Sequence, residues 1–173
     1  MSTNDPHVIW LQFQQFTAGF QSAVIASLSP SAEAEASYAP VIQHQACFYV
    51  YISELANHTA NLMNHPQAEL LFIEDESQCP NIFARVRASI KVQAEELPRD
   101  HQAWLQIMDL FSAKHPQMMA ILRPMQDFHL FKLTPIQARF VKGFAQAYTL
   151  DGEQLSQVRH RAERGHQLDQ PEH

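Results

Sequence analysis

The chain has 173 residues, 46% hydrophobic and 10% aromatic, which is enough apolar material for one core and too much for a disordered chain. A formal net charge of −6 with neutral histidines argues against nucleic acid or an anionic membrane surface as the main partner. Two cysteines, Cys47 and Cys79, fit no zinc or redox spacing and suit a reducing compartment, where they read as small hydrophobes.

The N-terminal MSTNDPHVIW has no basic segment leading into an apolar run, and no window reaches the ~18 apolar residues of a membrane span. A cytoplasmic protein without a membrane partner is the expectation. Pro6 to Phe20 predicts a helix, with proline at its first turn and Val8, Leu11, Gln12, Gln15 and Phe16 at helical spacing. Ala23 to Leu28 is a short apolar run ending at Ser29-Pro30. Tyr38 to Ile42 and Cys47 to Ile52, rich in aromatic and β-branched residues, predict strands of an antiparallel meander.

Asn57 to Asn64 predicts a short helix that stops before Pro66. Ala68 to Ile73 predicts a strand cut off by the acidic Glu74-Asp75-Glu76. From Arg85 to Val92 the chain alternates, so Val86, Ala88, Ile90 and Val92 face a core while Arg85, Arg87, Ser89 and Lys91 face outward or into a cleft. Glu95 to Lys114 predicts the longest helix, with a stripe of Trp104, Ile107, Met108 and Phe111, and Gln117 to Leu122 a second, shorter one. Phe128 to Leu133 and Ala138 to Phe144 predict two closing strands, and a last helix begins near Asp151-Gly152-Glu153, carrying Leu155 and Val158, before a mobile tail. The whole predicts an α+β protein: an N-terminal helix over 1–20, a sheet domain over 21–148, and a C-terminal helix and tail over 149–173.

Four glycines, at 19, 143, 152 and 165, leave no room for either nucleotide-binding fingerprint. Arg85 and Arg87, about 7 Å apart on one strand face, could together grip a carboxylate or phosphate, or could serve a solvated face or an ion pair with the acidic run at Glu74. Lys142-Gly143 is odd inside an apolar strand: the glycine predicts a bulge or close backbone approach, the lysine a polar or anionic neighbour. His58, His65 and His129 read as satisfied structural histidines. Asp127 alone reads as a turn residue, and His166 alone as an exposed tail histidine.

SYAP (Ser37 to Pro40), Ile73-Glu74-Asp75-Glu76, FARVR (Phe83 to Arg87), QDFHLF (Gln126 to Phe131), FVKGFAQAY (Phe140 to Tyr148) and Gly165-His166 follow one another along the chain. In this order they resemble the HugZ/HutZ-type haem-utilisation family, a branch of the pyridoxamine 5′-phosphate oxidase-like FMN-binding split-barrel superfamily. The resemblance spans about Ser22 to His166. It implies a six-stranded antiparallel split β-barrel with flanking helices, assembled as a homodimer with haem b at the interface. It implies His166 as the axial ligand to the iron, Asp127 as the acid that hydrogen-bonds the ligand histidine, and Arg87 on the distal side, the last two as the catalytic pair. Arg85 and Lys142 are then the cofactor-binding cations. The implied activity is oxidative haem cleavage that releases iron and a biliverdin-type product, with an electron donor and a haem donor protein as partners. The alternatives are haem storage or delivery without catalysis, and an FMN-dependent oxidoreductase. No Lys or Arg lies between Phe20 and Cys47, where the oxidases place cations for the FMN phosphate.

Overall fold

The computed structural model of the chain describes residues 5–161. Helix α1 (Pro6–Ala18) leads into strands β1 (Ser22–Leu28), β2 (Ala34–Pro40), β3 (Ile42–His44) and β4 (Cys47–Ser53). Helix α2 (Asn57–Asn64), β5 (Gln67–Ile73), two short 3-10 turns and β6 (Arg87–Leu97) follow. Then come α3 (Gln102–Lys114), α4 (Pro116–Leu122), β7 (Phe128–Gly143), β8 (Gln146–Asp151) and β9 (Gln157–His160). The strands form a single antiparallel sheet in the order β2-β1-β5-β6-β7-β4-β3, with β8 on β7 and β9 on β8. The α+β expectation holds. Among the described residues the strands number nine rather than six, and the sheet does not close on itself. No helix among the described residues is long and apolar enough to cross a membrane.

The sheet separates two cores. On one face α1 contributes Ile9 and Phe13 to a cluster with Ile25, Val50, Leu70, Phe72, Ile90 and Phe140. On the other, α3 and α4 cover Tyr49, Tyr51, Leu97 and Leu130 with Trp104, Ile107, Met108, Phe111 and Met119. Strand β4 is buried on both faces, so CFYVYIS is a continuous apolar run rather than an alternating one. The stripe expected on α3 is the one that is buried. On α1 the buried stripe is Ile9, Phe13 and Thr17, rotated from the expected Val8, Leu11 and Phe16, and Leu11 is exposed.

Three elements differ from expectation. Glu95 and Glu96 do not begin a helix: they extend β6, opposite Lys132 and Phe131, because cross-strand pairing overrides their helix propensity until Pro98. The two closing strands are one, β7. Along one edge it pairs with β6 throughout. Along the other it pairs first with β4, as far as Leu133, and from Ala138 with β8. Pro135 falls in the gap between these two partners, where no N–H is needed, opposite the register shift at Lys91/Val92. Finally, the expected last helix is a 3-10 turn and β9. Gly152, Gln154 and Leu155 take positive φ, which no right-handed helix contains, and Leu155 plugs the first core while Val158 pairs with Leu150.

Candidate functional site

Asp127 lies in the turn between α4 and β7, half-buried. Ser53 Oγ donates to its Oδ2 at 3.2 Å and the Glu54 amide donates to its carbonyl at 2.8 Å, so the end of β4 holds both parts of the residue. The register explains this: Ser53 pairs with Phe128, the residue after Asp127.

Arg85, Arg87 and Lys142 lie at the other end of the sheet. Arg87 opens β6 opposite Val141, and Lys142 bulges out of the β7–β8 ladder at the register shift between Val141 and Gly143, as the Lys-Gly pair predicts. Lys142 Nζ donates to Gln12 Oε1 at 2.8 Å, a polar neighbour supplied by α1. Arg85 does not alternate with Arg87 on a strand; it ends the 3-10 turn Ile82–Ala84. Its Nε donates to the Glu74 carbonyl at 2.7 Å and its Nη1 pairs with Glu76 at 2.8 Å, so its guanidinium is engaged by the acidic run. Arg87 Nη1 donates to the Arg85 carbonyl at 2.8 Å and forms no ion pair among the described residues. Beside these cations, Phe83 and Phe144 are 86% and 68% exposed, so the same end of the sheet offers positive charge and bare aromatic surface together.

About 46 Å of strand separates Asp127 from Val141 along β7. Within one chain Arg87 and Arg85 therefore lie together, Lys142 lies at the same end of the sheet but reaches α1 on the face that carries Phe140, and Asp127 lies apart. His166 lies outside the described residues. Of the other histidines, His58 is buried on α2, and burial lowers its pKa, favouring the neutral ring. His129 is fully engaged, with Nδ1 2.7 Å from Glu96 Oε1 and Nε2 2.8 Å from Glu54 Oε1. Both behave as the structural histidines expected. Among the described residues no group of three or more His, Cys, Asp or Glu side chains could hold a bare metal ion. A porphyrin iron needs only one side chain, its other donors being the macrocycle's own.

The sequence reading missed the residues that hold Asp127. Ser53 and Glu54 are far from it in sequence, and only the strand register brings them near. Phe83 was legible only as part of FARVR, with nothing local to mark it as exposed.

The pyridoxamine 5′-phosphate oxidase family matches residues 9–142. HutZ of Vibrio cholerae, described as a heme oxygenase, is 34% identical over 155 residues, 90% of this chain and 88% of that protein. The chain belongs to the HutZ branch of the pyridoxamine 5′-phosphate oxidase family. Among solved structures of this branch, Campylobacter jejuni ChuZ superposes with a TM-score of 0.82 at 33% identity, covering 92% of this chain. The chain spans 65% of the length of ChuZ. The solved structure of Vibrio cholerae HutZ, there described as a heme storage protein, gives 0.71 at 32% identity over 78% of this chain and 94% of that one. A heme binding protein from Mycobacterium smegmatis, 15% identical, shares the split-barrel fold with a TM-score of 0.77 over 90% of this chain.

The donor set fits haem. A porphyrin is a flat apolar plate with two carboxylates at one edge, and an end of the sheet with exposed aromatics beside cations matches both properties. Asp127 offers a carboxylate oxygen set for a further donor, such as an imidazole N–H.

Proposed function

We propose that this chain binds haem b between two copies of itself and opens the porphyrin ring oxidatively, releasing iron and a biliverdin-type product. The observation that carries this reading is the separation of Asp127 from Arg87 along β7. In a branch whose members are described as heme proteins, the two halves of the site lie at opposite ends of one chain, and a second chain, related by a two-fold axis, can bring Arg87 of one protomer to Asp127 of the other.

In this reading His166 would supply the nitrogen that holds the iron. Asp127 accepts a hydrogen bond from the other ring nitrogen, which fixes the tautomer and strengthens the imidazole as a donor. Arg87 would donate hydrogen bonds that steer oxygen chemistry at the bound haem. Lys142 faces the propionate carboxylates; Arg85, tied to Glu74 and Glu76, keeps Arg87 in place through its carbonyl. The bound haem supplies the redox chemistry. Dioxygen, electrons from a reductase, and haem from a donor protein come from outside, in the cytoplasm.

A second reading, storage or delivery of haem at the same site, is favoured by the description of the Vibrio cholerae relative's structure as that of a heme storage protein. Titrating purified protein with haem and with FMN, then adding a reductant in air, separates the readings. We expect stoichiometric haem binding, weak flavin binding, a dimeric mass at micromolar concentration, and loss of the Soret band on reduction. A Soret band that persists supports carriage. Stoichiometric flavin with no Soret shift for haem, or a monomeric mass, contradicts the proposal. The absence of Lys and Arg between Phe20 and Cys47 supports the preference for haem, because a dianionic phosphate needs cations or aimed amides.

A further inference from the structure

His129 is placed between two carboxylates, and its chemistry is constrained by that placement. Nδ1 lies 2.7 Å from Glu96 Oε1 on β6, and Nε2 lies 2.8 Å from Glu54 Oε1 just beyond β4. A neutral imidazole has one N–H and can donate to only one of them; both contacts are hydrogen bonds only when both nitrogens are protonated. The ring's side chain is 19% exposed, while those of Glu54 and Glu96 are 60% and 43% exposed, so a largely buried cation joins two solvated anions. Burial opposes the charge on His129, but the hydrogen bonds to Glu96 and Glu54, with their charges, outweigh it and raise the pKa above the ordinary 6.5.

The clamp ties together the ends of three strands, and Asp127 sits on one of them. Glu54, one arm of the clamp, also donates its amide to the Asp127 carbonyl at 2.8 Å, and Ser53 before it donates to the Asp127 carboxylate. The charged groups that meet this strand end are Glu54 just after β4, Glu96 from β6, Asp127 in the turn itself, and Arg99, whose Nη2 lies 3.5 Å from the Phe128 carbonyl. We infer that His129 is a positioning residue: bound to Glu54 and Glu96 at once, it fixes the turn that carries Asp127 and so sets how Asp127 meets the ligand histidine. The last clause rests on the haem-binding reading above; the clamp itself does not.

The sign follows from the raised pKa. The clamp is intact at low pH and is lost as pH rises through the folded-state pKa of His129, when one carboxylate faces a lone pair. Two measurements on the full chain test this. In the haem-free protein, nuclear magnetic resonance follows the His129 ring and the Asp127 carboxyl carbon against pH. We expect His129 to titrate above 6.5 and the Asp127 signal to show an inflection at the same pH, absent in His129→Gln. In the haem-loaded protein, the ferrous iron–histidine stretching frequency reports the ligand's donor strength. We expect His129→Gln to shift it in the direction of Asp127→Asn, and His129→Lys, which keeps a cation between the carboxylates, to restore it. Glu54→Gln replaces His129→Gln in both measurements if the latter does not fold. An Asp127 signal indifferent to His129, or a His129 pKa at or below 6.5, overturns the inference. So does a wild-type frequency in His129→Gln beside a shifted one in Asp127→Asn, and that outcome leaves the haem-binding reading standing. If Asp127→Asn and His166→Ala both leave the haem spectrum unchanged, the reading fails, and the haem-free titration still decides the clamp.

Discussion

Replacing His166 by Ala is expected to abolish the histidine-ligated haem spectrum and to leave the far-ultraviolet signal of the sheet unchanged. The two cores are assembled from residues between Ile9 and Val158, so the fold is expected to survive while the ligand is lost. Asp127→Ala has a milder effect on binding, because it weakens the ligand's donor strength instead of removing the ligand, yet turnover falls by roughly 10- to 100-fold. The pair is read by optical titration and by single-turnover decay of the Soret band. If His166→Ala binds haem with an unchanged spectrum, another histidine is the ligand. His58, His65 and His129 are the ones to replace next, though burial of His58 and the two carboxylates on His129 make both poor candidates.

Arg99→Ala is expected to cost about 3 kcal/mol of stability, lowering the melting temperature by roughly 6–12 °C for a chain of this size. Arg99 follows Pro98 at the end of β6, and its guanidinium is the hub of the second core. It donates to the Arg123 carbonyl at 3.1 Å, to the Tyr51 hydroxyl at 3.2 Å and to the Met125 carbonyl, and it lies 5.2 Å over the Trp104 ring. Removing it takes donors at once from the Arg123 and Met125 carbonyls and the Tyr51 hydroxyl, and the combined loss at a half-buried site exceeds the worth of any one of the bonds. Arg99→Lys keeps the charge but not the fork, so an intermediate loss is expected. Calorimetry of the three proteins measures both. A melting temperature for Arg99→Ala within a degree or two of wild type would show that water replaces these bonds without cost.

The comparison of sequence and structure divides along physical lines. Local signals were legible. Asn57–Asn64 is the helix its residues predict, the alternation from Val86 to Val92 orients β6 correctly, and Lys142-Gly143 marks a bulge at the register shift between Val141 and Gly143. What pairing decides was not legible. Glu95 and Glu96 carry helix propensity but lie opposite Lys132 and Phe131, and Pro135 looks like the end of a strand until the gap between β4 and β8 is known. The same holds at the site. QDFHLF and FARVR identify Asp127 and Arg87 through resemblance, but that they lie at opposite ends of β7 follows only from the register, as do the partners of His129. Arg85 and Arg87 looked alike as alternating residues. Glu74 and Glu76 separate them by engaging one guanidinium and leaving the other with a backbone contact.

The central claim is that each site takes Asp127 from one chain and Arg87 from another, and mixed dimers test it most directly. Asp127→Ala and Arg87→Ala chains, carrying different tags, are refolded together, and the dimer bearing both tags is isolated and loaded with haem. If the site spans two chains, one of its sites lacks both residues and the other is intact, so the mixed dimer recovers about half of the wild-type turnover although each parent dimer is impaired. If each site is built within one chain, every site in the mixed dimer carries one defect, and its turnover is no better than the average of the two parents. The first result is the one expected here; the second would contradict the account.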